Sequence, residues 1–407
     1  MHVASKFIGG IAAIMMAVAA SGAVQAGDKA LRIGVLTDLS SFASTAMGQG
    51  SVVATQLAVK DFGGQVLGKP IEVISADMQS KPDLAATLAQ RWYDVDGVDV
   101  IVDVPASAGA LTIQRMASEK HKMFLATVAA TSELSGKACT PTSIHWGIDT
   151  VGTAGSMVGA MKQENAKNWF LIMPDYAIGK TMAAAAETAV ARGGGKIVRT
   201  IFFPPNSTEY AEYLLQAQNS GADVIGAGGI GKDLVTLIKE AVEFHILPSS
   251  KQRLAAFLMN LSDVNAVGLK TLQGVWLVQD FYWDTNDQTR AYAKKFFAIQ
   301  QKMPNFTQSA NYSGVTAYLT AVKAVGTEDP TKVVAWLKSH TLDHFGEPTI
   351  VRADGRALFD VGLYQVKSPA ESKYPWDYLK LVRTIPADQV FTPLSQSTCP
   401  LVKKTAP

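Results

Sequence analysis

The chain has 407 residues, 48% of them hydrophobic and 18% charged, with a formal net charge of +2. No Lys/Arg cluster is available to neutralise a phosphate backbone, which argues against a nucleic-acid partner. The apolar content excludes a disordered chain, and the length favours two domains over one.

Lys6, the apolar run 7–20 and the small residues Val24 and Ala26 flanking Gln25 read as a secretory signal peptide over residues 1–26. The run is short of the roughly 20 residues that span a bilayer, and no cysteine follows for lipid attachment, so an exported chain beginning near Gly27 is expected. A strand at 31–36 leads to a helix at 49–62, ended by Gly63 and Gly64, and a second strand follows at 71–75. Ser80 and Asp83 stand in capping-box spacing around Pro82, with Leu84, Leu88, Trp92 and Val95 on one face of the helix they open. Strands at 99–104 and 123–127 enclose a helix at 110–120. Strands this apolar, alternating with helices, predict a parallel sheet covered on both faces, and so an α/β fold.

An extended segment at 144–148 leaves this unit, and the same alternation begins again. Helices are expected at 152–164, 182–192 and 209–219, with strands at 169–173, 196–203 and 222–225. Leu234, Leu237, Ile238, Ala241 and Val242 give the next helix its apolar face, and strands at 254–258 and 274–278 close the unit. Helices at 288–301, 308–325 and 330–340 have no strands of their own, so they are expected to return to the first sheet. A late strand is predicted at 358–366. The division expected is 27–148 plus 280–358 for lobe I, 149–279 plus 359–370 for lobe II, and a tail at 371–407.

Several motifs suggest chemistry. Residues 226–231 match the G-x-G-x-x-G fingerprint between a strand and a helix, but the following strand runs into Leu258, Met259 and Asn260 without the acid a ribose requires. Glycines that let a loop approach the cleft account for it better. Ser107 sits at a strand-to-helix corner like a nucleophile elbow, but Pro105 occupies the position that needs glycine. None of His121, His145, His245, His340 or His344 stands in a catalytic context. His340 and His344 have the spacing of two zinc ligands on one helix face, but Thr341 replaces the glutamate of that motif. Phe281, Tyr282 and Trp283 read either as core at a domain junction or as residues reaching the cleft.

Cys139 and Cys399 form an even pair in an exported chain, most simply a disulfide. What remains is anion binding. The loop carrying Ser107 and Ala108, and the loop from Ala129 to Thr131, follow adjacent strands, and each offers a hydroxyl and unpaired backbone N–H groups at a strand end.

The segments LRIGVLTDLS, DMQSKPDLAATLAQRW, DVIVDVPASA, FLATVAATSEL, WFLIMPDYAIGKT and ADVIGAGG occur in an order that resembles the periplasmic substrate-binding proteins of branched-chain amino acid type ABC importers. The resemblance implies a class I periplasmic binding protein, with two Rossmann-like lobes joined by a three-strand hinge and closing on a ligand. It implies a receptor without catalysis or cofactor, a monomer in the periplasm that delivers its ligand to an ABC permease. Ser107, Ala108, Thr131 and the Ala129 carbonyl would hold the ligand carboxylate. Tyr176, Gly229 and Ile230 would face them, and Met47 would cap the ligand. Amino-acid binders of this family carry an acid where this chain has Asn260. The expected ligand is therefore a small aromatic or other organic acid, with a hydrophobic amino acid as the competing class. A ligand sensor for a membrane receptor and an exported serine hydrolase using Ser107 are the other readings.

Overall fold

The computed structural model describes residues 29–205, 207–246 and 252–402, and the expected signal peptide lies outside them. In the first part of the chain the elements are β1 (Leu31–Thr37), α1 (Gly48–Phe62), β2 (Gln65–Val66), β3 (Lys69–Asp77), α2 (Pro82–Arg91), β4 (Val100–Asp103), α3 (Ser107–Glu119), β5 (Met123–Ala126) and β6 (Ser143–His145). Next come α4 (Thr150–Gln163), β7 (Asn168–Pro174), α5 (Ala177–Arg192), β8 (Lys196–Phe203), α6 (Ala211–Gln218), β9 (Val224–Ala227), α7 (Lys232–Glu243), β10 (Arg253–Ala256), α8 (Leu261–Val267), α9 (Leu269–Leu272) and β11 (Trp276–Gln279). The last part holds α10 (Asp287–Gln300), α11 (Phe306–Val325), α12 (Pro330–Ser339), β12 (Leu342–His344), β13 (Glu347–Val351), β14 (Ala357–Leu358), β15 (Val361–Val366) and β16 (Leu379–Ile385).

These strands form a six-stranded sheet ordered β2-β3-β1-β4-β5-β6 and a seven-stranded sheet ordered β16-β15-β11-β10-β9-β7-β8. Both are parallel at their centres, where each strand is buried from both sides. Leu31, Ile33 and Val35 of β1 are fully out of solvent, each stabilising the fold by about 1.5–3 kcal/mol relative to exposure. α11 packs along α1 and returns the chain to the first sheet. The small β12-β13-β14 sheet joins that lobe through a bridge between His145 and Arg356. The chain crosses between lobes after β6, after β11 and between β14 and β15, which is the three-strand hinge of a class I periplasmic binding fold. Cys139 and Cys399 are disulfide-bonded, as expected.

Some local expectations fail for identifiable reasons. Ser80 makes no capping box, because its hydroxyl donates instead to Asp38 Oδ2 at 2.6 Å and Lys81 takes the N-cap position of α2. His340 and His344 do not share a helix face, since α12 ends at Ser339 and His344 lies in β12, with Nδ1 3.1 Å from Ser313 Oγ. The hairpin at 342–351 was unexpected, and so was β16, which adds an antiparallel edge strand to the second sheet inside the expected tail.

Candidate functional site

β4 ends on two consecutive non-glycine residues in left-handed backbone, Asp103 at φ 76° and Val104 at φ 60°. Such conformations cost on the order of 1–3 kcal/mol each and persist only where the surroundings impose them. Here the Asp103 N–H donates to Thr127 Oγ1 at 3.0 Å and the Val104 N–H to the Leu36 carbonyl at 2.9 Å. The Asp103 carboxylate accepts from Asn311 Nδ2 at 3.1 Å, and burial raises its pKa to about 7. The corner starts α3 at Ser107, so Ser107 and Ala108 occupy the first turn of the helix, where backbone N–H groups lack helical partners.

The second lobe presents a matching corner. Tyr176 is the N-cap of α5, with extended backbone and no capping hydrogen bond of its own. The N-termini of α3 and α5 converge on a cavity of about 260 Å³. Phe42, Ser80, Pro82, Pro105, Ser107 and Ala108 line it from the first lobe, and Tyr176, Ala177, Ile178, Pro205 and Ile230 from the second. No charged side chain and no histidine lines it. Ser107 Oγ and Tyr176 Oη are both buried and have no partner, a situation that costs about 1–3 kcal/mol per group until something fills it. Burial and the nearby Asp233 charge push the Tyr176 pKa up, so the phenol keeps its proton and can donate. Two helix dipoles, exposed N–H groups and two hydroxyl donors in an uncharged pocket favour one kind of guest, a small anion.

A second, much smaller chamber of about 20 Å³ lies between the lobes and shares Ile178 and Ile230 with the first. Met47, Thr127, Ile148, Leu258, Asn260 and Phe306 are among its walls, and again no charged residue lines it. Asn260 caps α8 in a reciprocal box with Asp263, whose buried carboxyl is raised to about 7. Its Oδ1 also lies 3.5 Å from Asn305 Nδ2, and that same amide donates to the Ala46 carbonyl at 2.8 Å.

Of the residues expected at the site, Ser107, Ala108, Tyr176 and Ile230 therefore meet in the larger chamber, and Met47, Ile230 and Asn260 in the smaller. Ala129, Thr131 and Gly229 line neither chamber. The Ala129 carbonyl is 2.8 Å from His145 Nε2, and Thr131 caps its own short turn at 132–134 by accepting from the Glu133 N–H. Phe42, Ser80 and Ile178 were missed. Phe42 carried the one available signal, a lone aromatic in the loop after β1, the same loop from which Met47 was expected to cap the ligand. The glycine run has a steric explanation. Gly231 has φ 57°, and a Cβ there would lie 2.4 Å from the Phe42 carbonyl oxygen of the opposite lobe.

The sequence profile described as periplasmic binding protein matches residues 30–373. A periplasmic binding protein from Burkholderia mallei is 40% identical, with 93% of this chain and 100% of that one covered and a TM-score of 0.89. A branched-chain amino acid ABC transporter periplasmic ligand-binding protein from Burkholderia xenovorans LB400 is also 40% identical, covering 91% and 99%, with a TM-score of 0.82. The fold is shared with an ABC transporter solute-binding protein from Rhodopseudomonas palustris HaA2, solved with p-hydroxybenzoic acid, at 18% identity, 88% and 98% coverage and a TM-score of 0.81. No curated protein matches the chain.

Proposed function

The chain belongs to the periplasmic binding protein family and is the solute-binding component of an ABC transporter, and we propose that it captures a small aromatic or other organic carboxylate lacking an ammonium group. The observation that carries this reading is the pairing of two orphaned buried hydroxyls, Ser107 Oγ and Tyr176 Oη, in a pocket without charged side chains. A carboxylate would accept from both hydroxyls and from the first-turn N–H groups of α3, at about 1.5–3 kcal/mol for each charge-assisted bond. The proline and aromatic walls would take an apolar ring.

An α-amino acid fits less well, because neither chamber offers a carboxylate to its ammonium and a buried unpaired charge costs several kcal/mol. The 40% identity to a branched-chain amino acid binding protein supports that second class. The protein works in the periplasm, does no chemistry on its ligand, and presents the closed, loaded form to a membrane permease. Titration calorimetry with benzoate and with leucine separates the classes. Benzoate binding at micromolar affinity or better with leucine silent is the expected result, and the reverse order overturns it.

A further inference from the structure

A third cavity, of about 220 Å³, sits at the hinge and shares no lining residue with the two chambers of the cleft. Its walls come from the crossover after β11, the start of α10, the β12–β13 hairpin and the crossover into β15, so filling it bears on backbone that lobe closure must bend. Asp280, partly exposed as a residue, is the acid among them whose carboxylate is turned out of solvent. Both of its carboxylate oxygens are out of solvent contact and have no partner from another residue. Glu347 and Asp360 add two exposed carboxylates at the mouth, and no lysine or arginine lines the space.

The remaining wall is aromatic. Phe281 and Phe345 have ring centroids 4.9 Å apart, Tyr282 and Tyr364 lie 5.6 Å apart, and Phe359 stacks on His344 at 4.9 Å. Ring faces and carboxylates both attract cations, and rings also bury an organic body. Among the described residues no group of three or more His, Cys, Asp or Glu could hold a metal ion, which points away from an inorganic guest.

We propose that this hinge cavity is a second ligand site, taking an organic ammonium ion with Asp280 as its counter-ion and the aromatic wall around its apolar body. Apart from the exposed Glu347 and Asp360, no other group lining the cavity offers a negative charge. His344 is held neutral by burial, which lowers its pKa to about 4. The Tyr282 and Tyr364 phenols are raised and keep their protons. Arg356 acts on Asp280 through its charge alone, with its guanidinium bonded to the Gly147 carbonyl and lying over the Phe391 ring at 4.3 Å. Burial raises the Asp280 pKa itself to about 7, so the carboxylate is available above neutrality and protonated below it.

The test is calorimetric titration of the full mature chain with benzylammonium, with benzyl alcohol as the uncharged comparison. At pH 8 benzylammonium should bind at least tenfold more tightly than the alcohol. Affinity should fall at least tenfold at pH 5.5, a measurement that needs no variant. Asp280→Asn, checked by thermal melting for a retained fold, should lose the same tenfold at pH 8, while Ser107→Ala leaves binding unchanged. Absence of binding to the unaltered chain, equal affinity for amine and alcohol, or a folded Asp280→Asn that binds normally overturns the proposal. So does loss of binding in Ser107→Ala, which places the cation in the cleft.

Discussion

Phe42 of the first lobe and Tyr176 of the second bring their rings to 5.8 Å across the cleft. Beside them the Lys232 N–H reaches the Phe42 carbonyl at 3.4 Å. The lobes thus meet around the larger chamber, and the proposed donors Ser107 and Tyr176 line it from opposite lobes.

Replacing either donor should separate binding from stability. Ser107→Ala and Tyr176→Phe each remove one hydrogen bond to an anion, a loss of roughly ten- to a hundredfold in affinity. Because both hydroxyls are buried without partners, their removal relieves an unsatisfied group. The unliganded melting temperature should hold or rise. A fall of several degrees in either variant would mean that the hydroxyl serves the fold.

Gly231→Ala tests closure. Its Cβ would collide with the Phe42 carbonyl, and its backbone at φ 57° and ψ −125° would hold a sparsely populated conformation that costs alanine on the order of 1–3 kcal/mol. Each lobe should remain folded while the closed form is disfavoured. Solution scattering should show a smaller ligand-induced compaction than in the unaltered chain, and affinity should fall roughly tenfold.

Asn260→Asp should shift selectivity. The new carboxylate can still accept from the Ser262 and Asp263 N–H groups, now at 2.8 and 3.3 Å, and it gives the smaller chamber a partner for an ammonium. The ratio of leucine to benzoate affinity should rise at least tenfold. An unchanged ratio would remove Asn260 as a determinant of ligand class.

Asp103→Asn should reveal a pH-dependent cost of burial. The folded-state pKa of about 7 exceeds the usual unfolded value near 3.9, so the native state holds the proton more tightly. Asp103 then subtracts no stability below pH 4 and progressively more as pH rises to 7, reaching at most about 4 kcal/mol above it. Asparagine, which cannot ionise and can still accept from Asn311, carries no such cost. Melting temperatures should favour Asp103→Asn by an amount that widens from pH 4 to 7 and then levels. A constant difference would show that Asp103 is not protonated in the fold.

The strand-helix alternation, the two α/β units, the disulfide partners and the strand-to-helix corner at Ser107 were all legible in the chain, because each rests on short-range periodicity or composition. Ser107 in particular follows from a strand ending and a helix beginning within a few residues. Thr131 looked equivalent to it in sequence, and only the folded structure shows its hydroxyl turned to cap its own turn. Ser80 likewise offered a capping signature, which the Asp38 carboxylate outcompeted from a neighbouring strand end. Tertiary structure also decided which distant side chains line the larger chamber: Phe42, Ile178 and Pro205 share a wall only because the two lobes meet there. The acid–aromatic hinge cavity had no trace in the sequence beyond an aromatic run at 281–283, since its carboxylate and rings come from segments up to about a hundred residues apart, joined by the returning β15 strand.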